Sequence, residues 1–290
     1  MKKNVFVSTG FYKKNSPNEI IKIFINNKIR SIELSGGKHI NKSQINKLKL
    51  LNNKGLKIRI HNYFPAPRSP FVINLASESK VIIKKSISQL KKSILLAKDL
   101  NNEFFSFHAG FRVDPKPKQL GKKLKKISLV DKKKAEKIFF DNLILLNLFA
   151  KKNNVKLLIE NNVVNKKNFE TFGGNPLLMT NPIDIISFFE KLPKDIGFLL
   201  DVGHLKVSSK TEKFDLNNGM IKLKNIVTGY HLSENNGLED QNKNFARNAW
   251  FLRHLKKNLN YYTLEIYKTN LDKIYKTKLM LENFLAKKIK

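Results

Sequence analysis

GFLLDVG, residues 197–203, is an apolar run that stops at one carboxylate, Asp201, and a following glycine. Its apolar residues are consecutive rather than alternating, as in a strand buried on both faces. Comparable runs occur on either side. KLLIEN (156–161) precedes it, and IVTGYHL (226–232) and YYTLEIY (261–267) follow. VFVSTG (5–10), SIELSG (31–36), KIRIHN (57–62) and FFSFHAG (104–110) complete the set towards the N-terminus.

Between the runs the period changes to that of a helix. Ile83, Ile87, Leu90, Ile94 and Ala97 recur in steps of four and three, one face of a helix over 81–100. Residues 135–150 repeat the pattern, and a last helix is expected at 271–287. Ser16-Pro17 and Asn181-Pro182 read as an N-cap followed by proline in the first helical turn. Eight strands alternating with helices in 290 residues predict α/β architecture, a single (β/α)8 TIM barrel domain over 1–290. An open doubly wound sheet would carry a glycine-rich turn after its first strand, and STGFYKKNSP has one glycine. The segments 111–135, 162–181, 205–220 and 233–249 are expected as long loops on the catalytic face.

The polar strand ends carry the chemistry. Six histidines are present, and His61, His108, His204 and His231 fall at or just past a strand's C-terminal end, as do Glu33, Glu160, Asp201 and Glu265. In SIE, IRIH, FFSFH, LLIE, FLLD, GYH and TLE an apolar run meets one carboxylate or imidazole. Such a group is costly to bury unless it is paired or holds a metal. One strand-end Glu or His is ordinary capping; seven strands ending this way at the active face are not. With no cysteine, any metal must be held by oxygen and nitrogen ligands, a set suited to Mn²⁺, Co²⁺, Mg²⁺ or Zn²⁺. His39 and His254 read as surface residues.

The formal charge of +33 is carried mainly by lysine spread over the whole chain alongside abundant Asn and Ile. That is the product of AT-rich codons, and it ranks above a nucleic-acid partner as an explanation. A local excess remains at 111–135, with ten Lys/Arg against two Asp. No signal-peptide core and no apolar run of about 18 residues is present, so a cytoplasmic protein with no membrane partner is expected. The oligomeric state is left open.

The motifs IENN (from Glu160), LDVGHLKVS (200–208), HLSENNGLEDQN (231–242) and TLEIY resemble the xylose isomerase-like barrel superfamily. It includes sugar (phosphate) isomerases and epimerases and the endonuclease-four type of abasic-site endonucleases. The resemblance implies that Glu160, Asp201, His231 and Glu265 ring one divalent metal. It also implies that Glu160 and Glu265 exchange protons with a carbon next to a sugar carbonyl, through an enediolate. HNYFPAPRSPFVINLAS (61–77) and FHAG are similar to the endonucleases, whose multinuclear zinc site uses the positions of His61, His108 and His204. The partner motif there is Asp-x-His, whereas this chain has Asp240-Gln241-Asn242, and an amide is a poor ligand for zinc. The expected activity is therefore a metal-dependent sugar isomerase or epimerase acting on a small-molecule sugar. The alternative is a zinc-dependent phosphodiesterase acting on abasic DNA, and a barrel of other chemistry ranks third. His61, His108, His204, Asp240 and Asn242 are expected to bind substrate or a second metal. Asn162 and Asn235 are candidate substrate contacts.

Overall fold

The computed structural model describes residues 4–12 and 15–287. Eight parallel strands close into a barrel in sequence order: β1 (Phe6–Ser8), β2 (Ser31–Ser35), β3 (Lys57–His61), β4 (Phe104–His108), β5 (Lys156–Glu160), β6 (Gly197–Asp201), β7 (Val227–Leu232) and β8 (Tyr261–Leu264). All eight expected strands form. Most of their side chains are buried, on both faces, because the outer face meets helices and the inner face fills the barrel.

The helices begin where their caps predict. Helix α1 (Pro17–Asn26) is capped by Ser16, whose hydroxyl accepts from the Glu19 amide while the Glu19 carboxylate accepts from the Ser16 amide. Such a capping box removes two orphan donors, and its N-cap oxygen contributes about 1 kcal/mol. Helices α2 (Lys42–Asn53), α3 (Lys80–Asp99), α4 (Lys132–Lys152) and α9 (Leu271–Ala286) follow β2, β3, β4 and β8. Leu90, Ile94 and Ala97 of α3 are buried, as their spacing requires.

Two expected loops are partly helical. The segment 162–181 contains α5 (Lys166–Phe172), and α6 (Pro182–Phe189) begins behind the predicted Asn181 cap. The segment 205–220 is not a loop: α7 (Val202–Glu212) and α8 (Leu216–Leu223) occupy most of it. Asp201 ends β6 and at the same time caps α7, its side chain accepting from the His204 amide. Helix α7 buries Val202, Gly203, His204, Leu205, Val207, Ser208 and Ser209, so it shows no polar stripe from which a period could be read. No helix of the described residues is long and apolar enough to cross a membrane.

Candidate metal centre

Strand register brings the polar strand ends together. His108 lies opposite Glu160 across β4 and β5, Asp201 opposite His231 across β6 and β7, and His231 opposite Thr263 on β8. Neighbouring strands are about 4.8 Å apart, so side chains at paired positions on the inner face touch. Glu265 follows β8 directly, its amide donating to the Leu232 carbonyl.

Glu160 is at the middle. Its Oε1 lies 3.3 Å from His231 Nδ1 and 3.7 Å from His204 Nδ1, and its Oε2 lies 3.3 Å from His61 Nε2 and 3.7 Å from His108 Nδ1. Glu265 Oε2 is 3.3 Å from the same His231 Nδ1, and Tyr267 donates to Glu265 Oε1 at 2.5 Å. Both Glu160 oxygens, Asp201 Oδ2 and both His231 ring nitrogens are buried with no aligned hydrogen-bond partner. An orphaned buried carboxylate oxygen is expensive, and several aimed at one point are the donor set a divalent cation satisfies. Glu160, Asp201, His231 and Glu265 offer ligand atoms all within 4.8 Å of one another. Two further groups of this kind share its members: His61, His108 and Glu160, and Glu33, His61 and His231.

The electrostatics reflect this crowding. Burial pushes the Asp201 carboxyl up to about 8, helped by the charges of Asp240, Glu265 and Glu160 and opposed by His204. Burial also acts to raise Glu160 and Glu265, but the surrounding imidazoles outweigh it and bring both down, Glu265 to about 2. Burial acts to lower His231, and Glu160 and Glu33 overcome it, so that imidazole is held well above its ordinary value. His61 goes the other way, because burial dominates and leaves the ring neutral at pH 7.

The other expected residues divide. His204 Nδ1 is 2.8 Å from the Asn161 carbonyl, and its Nε2 is 3.3 Å from Asp240 Oδ2. Among the described residues, no third imidazole or carboxylate completes a metal-sized group around that pair. Asn242 is buried next to it in a left-handed conformation (φ 46°), its carbonyl accepting from the Tyr267 amide. Asn162 and Asn235 are structural ties rather than free contacts. The Asn162 side-chain amide donates to the Ala109, Gly110 and Leu178 carbonyls, and that of Asn235 donates to Gly203. His39 and His254 lie away from the site, as expected. His39 is exposed, with Nδ1 2.8 Å from the Ala66 carbonyl, and His254 packs beside Arg253 and Asn217.

Sequence reasoning misses two participants. Glu33 is visible as a strand end, but nothing around it in the sequence assigns it a role; it is fully buried, with Oε1 3.0 Å from His231 Nε2. Burial acts to raise its carboxyl, and His231, His61 and Arg59 together hold it below the usual range. Tyr267, which bonds Glu265, sits against Gly10, where a Cβ would fall 2.0 Å from the phenol oxygen. The glycine after β1 is the available signal.

Solved structures share the barrel that carries these residues. A D-tagatose 3-epimerase-like protein superposes with a TM-score of 0.70 at 19% identity, covering 97% of each chain. D-psicose 3-epimerase with D-tagatose from Clostridium cellulolyticum gives 0.67 at 13% identity over 97% of this chain and 99% of that one. A Thermus thermophilus protein soaked with ZnCl2 gives 0.65 at 16% identity over 99% and 98%. At these identities the likeness establishes the fold. No curated protein matches by sequence. The model of the xylose isomerase-like TIM barrel matches residues 30–278, which span seven of the eight strands and every residue of the centre, and the chain belongs to that family.

Proposed function

We propose that the chain is a divalent-metal-dependent isomerase or epimerase of sugars, which moves a proton at a carbon next to a carbonyl. The observation that carries this is the convergence of Glu160, Asp201, His231 and Glu265, with orphaned oxygens on Glu160 and Asp201. These residues would hold Mn²⁺, Co²⁺, Mg²⁺ or Zn²⁺. When bound, such an ion polarises a carbonyl oxygen and offsets the negative charge that develops there. The chain's own groups supply the rest. Glu160 and Glu265 come from β5 and the end of β8, and both are held as carboxylates, so each can accept a proton from a sugar carbon and return it. Tyr267 keeps Glu265 oriented through its hydroxyl. His61, His108 and His204 line the same space and would bind substrate oxygens. D-psicose 3-epimerase, with D-tagatose, and L-ribulose 3-epimerase are among the similar folds, in support of a sugar substrate.

The test is solvent-deuterium exchange into a panel of ketoses, with metal-loaded protein in D₂O. Deuterium should enter a carbon next to the carbonyl, and Glu160→Gln and Glu265→Gln should each lower the rate by about 10²-fold or more. Exchange at wild-type rate in either variant means that the base is wrongly assigned. A second reading, phosphodiester cleavage at abasic sites in DNA, is favoured by His61 and His108 meeting Glu160 Oε2. It ranks below the first because Asn242 stands where the third zinc needs an imidazole.

A further inference from the structure

A polar chain inside the barrel leads away from the centre. His61 Nδ1 and Ser106 Oγ are 2.8 Å apart, and Ser106 Oγ and Tyr261 Oη are 2.7 Å apart. Tyr261 donates to Glu33 Oε2 at 2.6 Å, and the Thr263 hydroxyl donates to the same oxygen at 2.8 Å. Ser106, Tyr261, Thr263 and Glu33 are fully buried, and His61 is 2% exposed.

A hydroxyl has one hydrogen and a carboxylate oxygen none, so the direction of the chain is fixed from its Glu33 end. The Tyr261 proton is engaged by Glu33, and the phenol oxygen can only accept from Ser106. The Ser106 proton therefore points at Tyr261, and its oxygen can only accept from His61. His61 must then carry its hydrogen on Nδ1. The opposite direction would set the Ser106 and Tyr261 oxygens lone pair against lone pair at 2.7 Å. On His61 this leaves Nε2 bare, 3.3 Å from Glu160 Oε2, two lone pairs that a shared cation or a donated hydroxyl hydrogen would satisfy.

We propose that Glu33, Tyr261 and Ser106 are positioning residues that lock His61 in its Nδ1–H tautomer, so that its Nε2 meets any substrate hydroxyl or cation beside Glu160 as a lone-pair donor. The assignment goes beyond the sugar reading and holds for either activity. It makes His61 an acceptor of a hydroxyl hydrogen or a ligand, and never a hydrogen donor, at that position. Tyr261 is held for the task from below. Arg59 stacks between its ring and that of Phe6, with the guanidinium carbon 3.7 Å and 4.0 Å from the two ring centres.

The experiment is long-range ¹H–¹⁵N correlation NMR of the full chain labelled at histidine, in Mg²⁺ buffer at neutral pH, with His61 assigned from a His61→Asn spectrum. Wild type should show one species, with protonated Nδ1 and bare Nε2. Tyr261→Phe keeps the ring on Arg59 and removes only the hydroxyl. It frees Ser106 to turn its proton toward His61, so the single Nδ1–H signature should be lost. Ser106→Ala should lose it too, while Tyr261 and Glu33 stay in contact. A wild-type spectrum showing Nε2–H overturns the proposal and requires no variant to fold. A pure Nδ1–H tautomer persisting in Tyr261→Phe overturns it as well. Deuterium exchange into a ketose decides the activity separately, so the two can fail independently.

Discussion

Loading the metal-free chain with Mn²⁺ should expel protons, and the site's electrostatics set their number. Asp201 has its Oδ1 engaged by the His204 amide and its Oδ2 buried without a partner. With its carboxyl at about 8, it is mostly protonated at pH 7. His231, with Nδ1 between Glu160 and Glu265 and Nε2 beside Glu33, also keeps its extra proton at that pH. Coordination needs Asp201 as carboxylate and a bare Nδ1 on His231, so close to two protons should leave per ion bound. Deprotonating a group one unit below its pKa costs about 1.4 kcal/mol, or tenfold in apparent affinity. Two such groups make Mn²⁺ binding tighten about a hundredfold per pH unit below pH 7. The sign for the metal-free fold is opposite. Asp201 is raised above its unfolded value, so its contribution to stability is full below about pH 4 and is lost as pH rises through about 8. Calorimetric titration at pH 7 in two buffers of different ionisation heat counts the protons, and Asp201→Asn should release one fewer. Release of less than about half a proton, with affinity flat from about pH 6 to 8, would refute the reasoning.

Two other perturbations test the surroundings. Gly10→Ala places a methyl 2.0 Å from the Tyr267 oxygen and must displace the phenol from Glu265, so Mn²⁺ affinity should fall about 10- to 100-fold, with Tyr267→Phe behaving alike. Wild-type affinity in both, measured by calorimetry, would remove Tyr267 from the site. Zinc-loaded protein should leave a duplex with one abasic analogue uncut at about 150 mM salt, while its non-specific DNA affinity falls steeply from low salt. Incision gained only in Asn242→His would show that the scaffold lacks just the third position, and efficient incision by the unaltered chain would reverse the order of the two readings.

The sequence is legible wherever one strand carries the whole signal. A parallel barrel strand is buried on both faces, so GFLLD or KLLIE stands out as an apolar run, and its terminal carboxylate stands out as the charge that ends it. Signals shared between strands are not legible in this way. Ser106 in FFSFH and Thr263 in YYTLE look like ordinary interruptions, and only the barrel's closure brings both to Tyr261 and Glu33. Helix α7 reads as a loop because burial nearly all round erases its period. Asn162 and Asn235 read as contacts because an asparagine after a strand gives no indication of whether its amide meets a ligand or a backbone carbonyl. Here both meet carbonyls.

The same distinction explains why the two candidate activities lie so close together on one chain. Glu160 belongs to the four-ligand group and, through Oε2, to the group with His61 and His108, so residues for one ion and for a second are present at once. Neither group separates a proton-transfer site from a phosphodiesterase site. The resemblance puts the difference farther out, where His204 and Asp240 face each other at 3.3 Å and Asn242 supplies an amide. Asn242 is held in place by its backbone, through the Tyr267 amide that accompanies Glu265 on the segment after β8. The segment that supplies the proposed base thus also fixes the position that lacks an imidazole. A side-chain change at Asn242 can therefore alter the third position without moving Glu265, which makes Asn242→His the substitution that tests the phosphodiesterase reading.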